Sequence, residues 1–384
     1  MAKRIIVLMT VVLGIAALAG CNKSQSTASA SGTGTAPQKL DMTAFALAAA
    51  TPLSAEDAAV DWLAKSNNPN KVVWRHGGTA RNLDESPVER TYRQFFIEMK
   101  KRLGDKIEIQ IYMNGTLGTS ADAILGGIQA RSFESYGYNV GAFAEYTNAF
   151  LPLDVLYLVP DFESGIAVCE GEPGELMRQK CIADTGLNVL IYTAIGMRNI
   201  TNSKRPIHIP KDLNGLKIRV QNNPLHIMGM TELGASPTPI AYAELFTSLQ
   251  QKVVDAQENP VSNIFDQNYG EVQSYMTLSR HLYTAGAFPV NQSWLNEQNN
   301  EFKQAVRESV AVCQRYTRSE SLKVEETLLA ELSKQMETTG LTDDEFKQFQ
   351  DIAKRTWDRA AQRIGVDYFN SLRASMEKVI ANQK

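Results

Sequence analysis

Short apolar runs of period two alternate with amphipathic stretches of period 3.6 from Lys71 to Glu258, and few folds accommodate such a pattern. Val72-Val73-Trp74-Arg75-His76 reads as a strand stopped by Gly77-Gly78. Ser86-Pro87-Val88-Glu89 opens a helix, with serine as cap, proline at the first helical position and glutamate closing a capping box. Gly104 ends that helix, and Ile107, Ile109 and Ile111 share one face of the next strand, at 106–113. Asn114-Gly115 turns the chain into a helix at 120–130 and a strand at 132–139. Further strands are expected at 189–194, 217–220 and from 256, with helices at 223–233 and 242–252. Strands alternating with helices of about ten residues predict an α/β fold with mostly parallel sheets. Beyond residue 299 the pattern is almost entirely helical, at 299–338 and 342–382, as in long C-terminal helices that buttress a sheet.

The first residues carry a different message. Lys3 and Arg4 precede an apolar run at 5–17, which is too short to span a bilayer and has the flanks of a secretory signal. Leu18-Ala19-Gly20-Cys21 resembles the lipobox of bacterial lipoproteins, in which residues 1–20 are removed and Cys21 receives lipid. An ordinary secretory signal with an incidental cysteine is the alternative. Residues 21–70 read as a lipid-anchored flexible tether, rich in Ser, Thr, Ala and Gly, with a short helix opening at Ser54-Ala55-Glu56-Asp57. The expected location is extracytoplasmic, in the periplasm or at the cell surface, held to a membrane by the Cys21 lipid. A net charge of −3 makes nucleic acid an unsuitable partner.

The chain has four cysteines. Cys169 and Cys181 flank a polar, Gly-containing stretch, and in an oxidising compartment they are expected to form a disulfide worth ~3 kcal/mol; two unpaired thiols are the alternative. Cys313 falls on an amphipathic pattern, as a buried free thiol would. No Cys/His spacing suits a metal, no cofactor motif is present, and no catalytic residue is expected. Gly234-Ala235-Ser236-Pro237-Thr238 comes nearest to a nucleophile elbow, yet lacks its second glycine. The four histidines (76, 208, 226, 281) are scattered and read as structural.

Arg219 stands among Leu216, Ile218 and Val220 in an expected strand. A guanidinium there must be paired with a carboxylate, such as Glu244 or Glu258, or must receive an anion, for which its planar fork suits a carboxylate.

The segments around it extend the second possibility. Asp212-Leu213-Asn214-Gly215-Leu216-Lys217-Ile218-Arg219, Gly234-Ala235-Ser236-Pro237-Thr238-Pro239 and Asp255-Ala256-Gln257-Glu258-Asn259-Pro260 follow one another in an order and spacing that resemble the solute-binding proteins of tripartite ATP-independent periplasmic (TRAP) transporters. The branch resembled binds dicarboxylates, sialic acid and sugar acids. Tyr112-Met113-Asn114-Gly115-Thr116-Leu117-Gly118 is similar to the family's strand–turn–helix upstream. The resemblance implies a two-lobe periplasmic-binding-protein fold with the ligand cleft between lobes. Lobe I would comprise 71–195 plus 285–324, and lobe II 196–284 plus 325–384.

It also implies the site. Arg219 matches the arginine that pairs with the ligand carboxylate, Arg198 a second pocket arginine, and Asn259 the asparagine that bonds the same carboxylate. Tyr242 and Asn222 fall at an aromatic and a polar pocket position. His76, Ser120, Tyr138 and Asn139 fall where the other lobe lines the cleft. The acidic residues of the sialic-acid binders are absent there. The implied function is capture of a small organic acid and its delivery, by a monomer, to the membrane subunits of a TRAP transporter. A ligand-sensing lipoprotein of the same fold, or an extracytoplasmic enzyme acting on an organic acid, are the alternatives.

Overall fold

The structure is a computed structural model and describes residues 53–383. Residues 1–20 and Cys21, with most of the expected tether, lie outside the described residues. Strands β1 (Val72–Gly77), β2 (Ile107–Tyr112), β3 (Ser135–Tyr136), β4 (Tyr138–Asn139), β5 (Leu187–Asn202), β6 (Lys217–Val220), β7 (Ser236–Pro239), β8 (Ala256–Pro260), β9 (Tyr275–Thr277), β10 (Tyr283–Asn291) and β11 (Glu337–Thr339) alternate with helices. The main sheet path runs β2-β1-β3-β10-β5-β8-β6-β7. Parallel ladders make up both flanks, with β1 beside β2 and β3 at one side and β6 beside β7 and β8 at the other. In the middle β5 and β10 run antiparallel. The fold is therefore α/β, as the alternating pattern predicts.

Strand β5 is 16 residues long and joins the two halves. Its N-terminal part pairs with β10, and its last five residues pair with β8 from Arg198–Pro260 to Asn202–Ala256. The change of partner falls just after Gly196, whose φ of +136° suits glycine alone. A Cβ there would also stand 3.1 Å from the Glu325 carboxylate.

Each half of the sheet carries a core on either face. In the first half, Trp74 is enclosed by Phe95, Phe96, Phe288, Trp294 and Phe302, with ring centroids 5.2–6.1 Å away. Truncating such a residue to alanine costs about 3–5 kcal/mol. In the second half, Ile218, Val220, Met230 and Phe349 pack on one face, and Leu245, Ile264 and Leu328 on the other. The helix Asn300–Gln335 has 36 residues, about 54 Å of rise. Its Phe302, Val306 and Cys313 enter a first-half core, while Val324, Leu328 and Leu332 enter a second-half core. One helix thus braces both halves.

Several expectations are corrected. The pattern at 342–382 forms three helices, Asp343–Lys354, Trp357–Ile364 and Val366–Ala381, because Gly365 at φ +103° breaks the second from the third. The last two belong elsewhere than lobe II. Ala360, Phe369, Leu372 and Met376 pack with Phe150, Cys169 and Met177 of the first half. The expected disulfide is also absent: Cys169 and Cys181 are free and buried. Pro173 sits in the first turn of a helix, Glu172–Thr185, where a polar loop was expected. A Cβ on Gly174 would touch the Cys169 carbonyl. Cys313 is a buried free thiol, as its pattern predicts.

Candidate functional site

Two arginines expected in the cleft reach opposite fates. Arg198 lies on β5 where that strand begins to pair with β8, its Cα opposite Pro260. Its Nε donates to Glu258 Oε2, and its Nη2 donates to Glu258 Oε1 at 2.9 Å and to Asn259 Oδ1 at 3.1 Å. Its Nη1 lies 3.3 Å from Thr284 Oγ1. The guanidinium is therefore fully engaged by protein acceptors.

Glu258 is the hub of a buried network. His281 Nε2 is 3.1 Å from its Oε2, and His226 Nδ1 is 3.5 Å from its Oε1. His226 Nε2 reaches Asp154 Oδ1 at 3.1 Å, and Asn223 donates to Asp154 Oδ2 at 2.8 Å. Burial would push the Glu258 carboxyl up, but the Arg198 charge and the two histidine contacts hold it well below the usual carboxylate range. Burial would lower His226, yet its bonds to Asp154 and Glu258 raise it above the ordinary histidine value. Burial lowers His281 despite Glu258.

Arg219 sits on β6, 2 % exposed, and its only hydrogen bond among the described residues runs from Nε to Ile240 O at 2.9 Å. Its Nη1 is buried without a partner, and no carboxylate lies within 4 Å of it among the described residues. The expectation that a structural ion pair with Glu244 or Glu258 could absorb Arg219 is thus resolved, since Glu258 serves Arg198. Burial lowers the Arg219 pKa, Tyr269 acts against that shift, and the like charge of Arg198 adds to it. Tyr269 is itself fully buried, with an unpartnered hydroxyl. Buried polar groups without partners are rare, and here two lie close together.

The remaining expected residues divide. Tyr242 is half-buried near Arg219 and accepts from Asn263 Nδ2 at 3.1 Å. Asn259 is buried, its carbonyl taken by Arg198 and its amide donating to Gln257 Oε1 at 2.6 Å. Tyr138 is half-buried, edge-on to Tyr136. Asn139 donates to Gln221 Oε1 at 3.0 Å, tying the end of β4 to the residue after β6. Three residues are placed otherwise than expected. His76 is enclosed by Tyr92, Phe96 and Phe288, with Nδ1 on Ser135 Oγ at 2.9 Å. Burial pushes its pKa down to about 3. Ser120 is an exposed helix cap that accepts from Ala123 N at 3.2 Å. Asn222 is exposed and bonds Glu145.

Sequence reasoning missed Tyr269 and Asp154, and read His226 and His281 as structural without their partners, because nothing local shows which charges will meet. It also misread Glu89. Ser86 accepts from Glu89 N at 3.2 Å, so the cap forms. The Glu89 carboxylate, however, does not return to Ser86. Its Oε2 is buried without a partner, 3.6 Å from where a Cβ of Gly78 would stand.

The chain is similar to known extracellular solute-binding proteins. The family described as "Bacterial extracellular solute-binding protein, family 7" matches residues 80–363. A solute-binding protein of Roseobacter denitrificans is 32% identical over 65% of the chain and 74% of its own length. The 2,3-diketo-L-gulonate-binding periplasmic protein of Escherichia coli is 30% identical over 57% of the chain; the match spans 66% of that relative. Among solved structures, the sugar acid binding protein of Advenella mimigardefordensis in complex with galactonate superposes with a TM-score of 0.75 at 27% identity, covering 81% of this chain and 100% of that one. With 284 of its residues inside the family match, the chain belongs to the family 7 extracellular solute-binding proteins, the solute-binding proteins of TRAP transporters.

Proposed function

We propose that this protein captures a small organic acid between its two lobes, with the carboxylate on Arg219, and hands it to the membrane subunits of a TRAP transporter. The observation that carries the reading is the buried, unpartnered Nη1 of Arg219. A charge placed so is unfavourable until an anion joins it, and a bidentate carboxylate is the matching acceptor. Tyr269 and Tyr242 flank the position, and Tyr269 offers a free hydroxyl. Arg198 and Asn259 act behind it as positioning residues, held by Glu258 and Gln257.

Closure follows from the same arrangement. Contacts such as Asn139–Gln221 and Asn222–Glu145 link loops after β4 and β6. A ligand that touches both halves favours the closed form in proportion to those extra contacts. Capture is reversible and breaks no bond. Lipidation at Cys21 would keep the protein beside its transporter, within reach of a tether.

Thermal-shift screening against mono- and dicarboxylates, sugar acids and keto acids tests the reading. At least one acid should raise the melting temperature, and Arg219→Ala should abolish that rise while melting cooperatively. Equal stabilisation of the Arg219→Ala protein by the same acid would contradict it.

A further inference from the structure

We infer that Glu89 and Asp266 form a second recognition wall of the same cleft, one that selects acids carrying hydroxyl groups over acids carrying a second carboxylate. This rests on the reading that Arg219 takes the ligand's carboxylate.

The two residues come from opposite halves. Glu89 stands in the first turn of the helix Pro87–Leu103, and Asp266 ends the helix Val261–Asp266, just beyond Asn259-Pro260. They are near enough for their charges to oppose each other. Asp266 also acts on Tyr242, and Tyr242 on Arg219. Electrostatic influence therefore links the guanidinium to Tyr242, Tyr242 to Asp266, and Asp266 to Glu89.

Neither carboxyl is satisfied. Glu89 is 6% exposed and its Oε2 has no partner. The half-buried Asp266 carboxylate has no hydrogen-bond or ion-pair partner among the described residues. The arginines whose charge reaches Asp266 are spent elsewhere: Arg81 Nε lies 2.7 Å from Glu85 Oε1, and Arg90 Nη2 lies 2.8 Å from Glu320 Oε1. Burial, with the charges of Glu85 and Asp266, pushes Glu89 up to about 8. Burial and Glu85 push Asp266 to about 8, against the pull of Arg90 and Arg81.

Such a pair asks for donors. A hydroxyl can donate to either carboxyl in any protonation state. A second ligand carboxylate would bring a third negative group into a poorly screened space, tolerable only while both side chains stay protonated. The partner that fits is a hydroxylated monocarboxylic acid.

Titration calorimetry at pH 8 on the purified protein tests this, with D-gluconate, D-galactonate, D-glucuronate, succinate, glutarate and γ-aminobutyrate as probes. We expect at least one hydroxy acid to bind about 100-fold tighter than succinate or glutarate, and E89Q or D266N to cut that ratio below about 10-fold. Succinate, glutarate or γ-aminobutyrate binding as tightly as the best hydroxy acid would overturn the inference. So would a failure of every hydroxy acid to bind, or an unchanged ratio in both folded variants. R219A separates the two layers. If it abolishes all acid binding while the E89Q and D266N ratios stay at the wild-type value, only this inference falls. If R219A binds a hydroxy acid normally, the underlying reading falls.

Discussion

Arg198 and Arg219 are both buried, one on the central β5 and one on β6 in a flank of the sheet, and only one of them has a counter-ion. Arg198 satisfies its guanidinium on Glu258, Asn259 and Thr284, and its charge helps fix the carboxyl, the two histidines and the β5–β8 joint. Arg219 bonds a single carbonyl with Nε and keeps Nη1 open. The difference teaches how a binding protein divides the same side chain between two tasks. A paired guanidinium builds the wall, and an unpaired one waits for the ligand.

The contrast predicts opposite responses to one substitution. Arg198→Met should destabilise the ligand-free protein by about 3–5 kcal/mol, since Glu258 would be left buried without its cation. Chemical denaturation measures this directly. Arg219→Met should instead stabilise the ligand-free protein by about 1 kcal/mol, because an uncompensated charge is replaced by apolar atoms of similar length. Equal destabilisation by both changes would erase the distinction between the two arginines.

A smaller effect sharpens the account of the Glu258 network. The His226 pKa is raised in the folded protein, so protonated His226 contributes stability that is fully present below about pH 6.5 and is lost as pH rises through its folded value. His226→Gln should therefore cost most near pH 5, with the gap to the wild type narrowing by pH 8. Melting curves across that range check it. A gap that widens with rising pH would mean His226 is held neutral.

Much of this was legible in the sequence. The strand–helix alternation, the cap at Ser86 and the charge among apolar neighbours at Arg219 are local signals, and local rules read them. What escaped was set by contacts far apart in the chain. Arg198 and Glu258 are 60 residues apart, and both were visible, but nothing in the sequence says that Glu258 chooses Arg198 over Arg219. Glu89 satisfied the spacing of a capping box while its carboxylate turned elsewhere. Pro173 and Gly174 read as loop residues, although proline in a first turn starts a helix as readily as it ends one. The extent of β5 was underread because its ladder changes partner at Gly196, where a glycine reads as a stop.

The central claim is that Arg219, and not Arg198, receives the carboxylate. A crystal structure of the protein with a stabilising acid tests it most directly. Carboxylate oxygens are expected within hydrogen-bond distance of Arg219 Nη1, with Arg198 still on Glu258. A carboxylate seated on Arg198, with Glu258 displaced and Arg219 still without an anion, would contradict it.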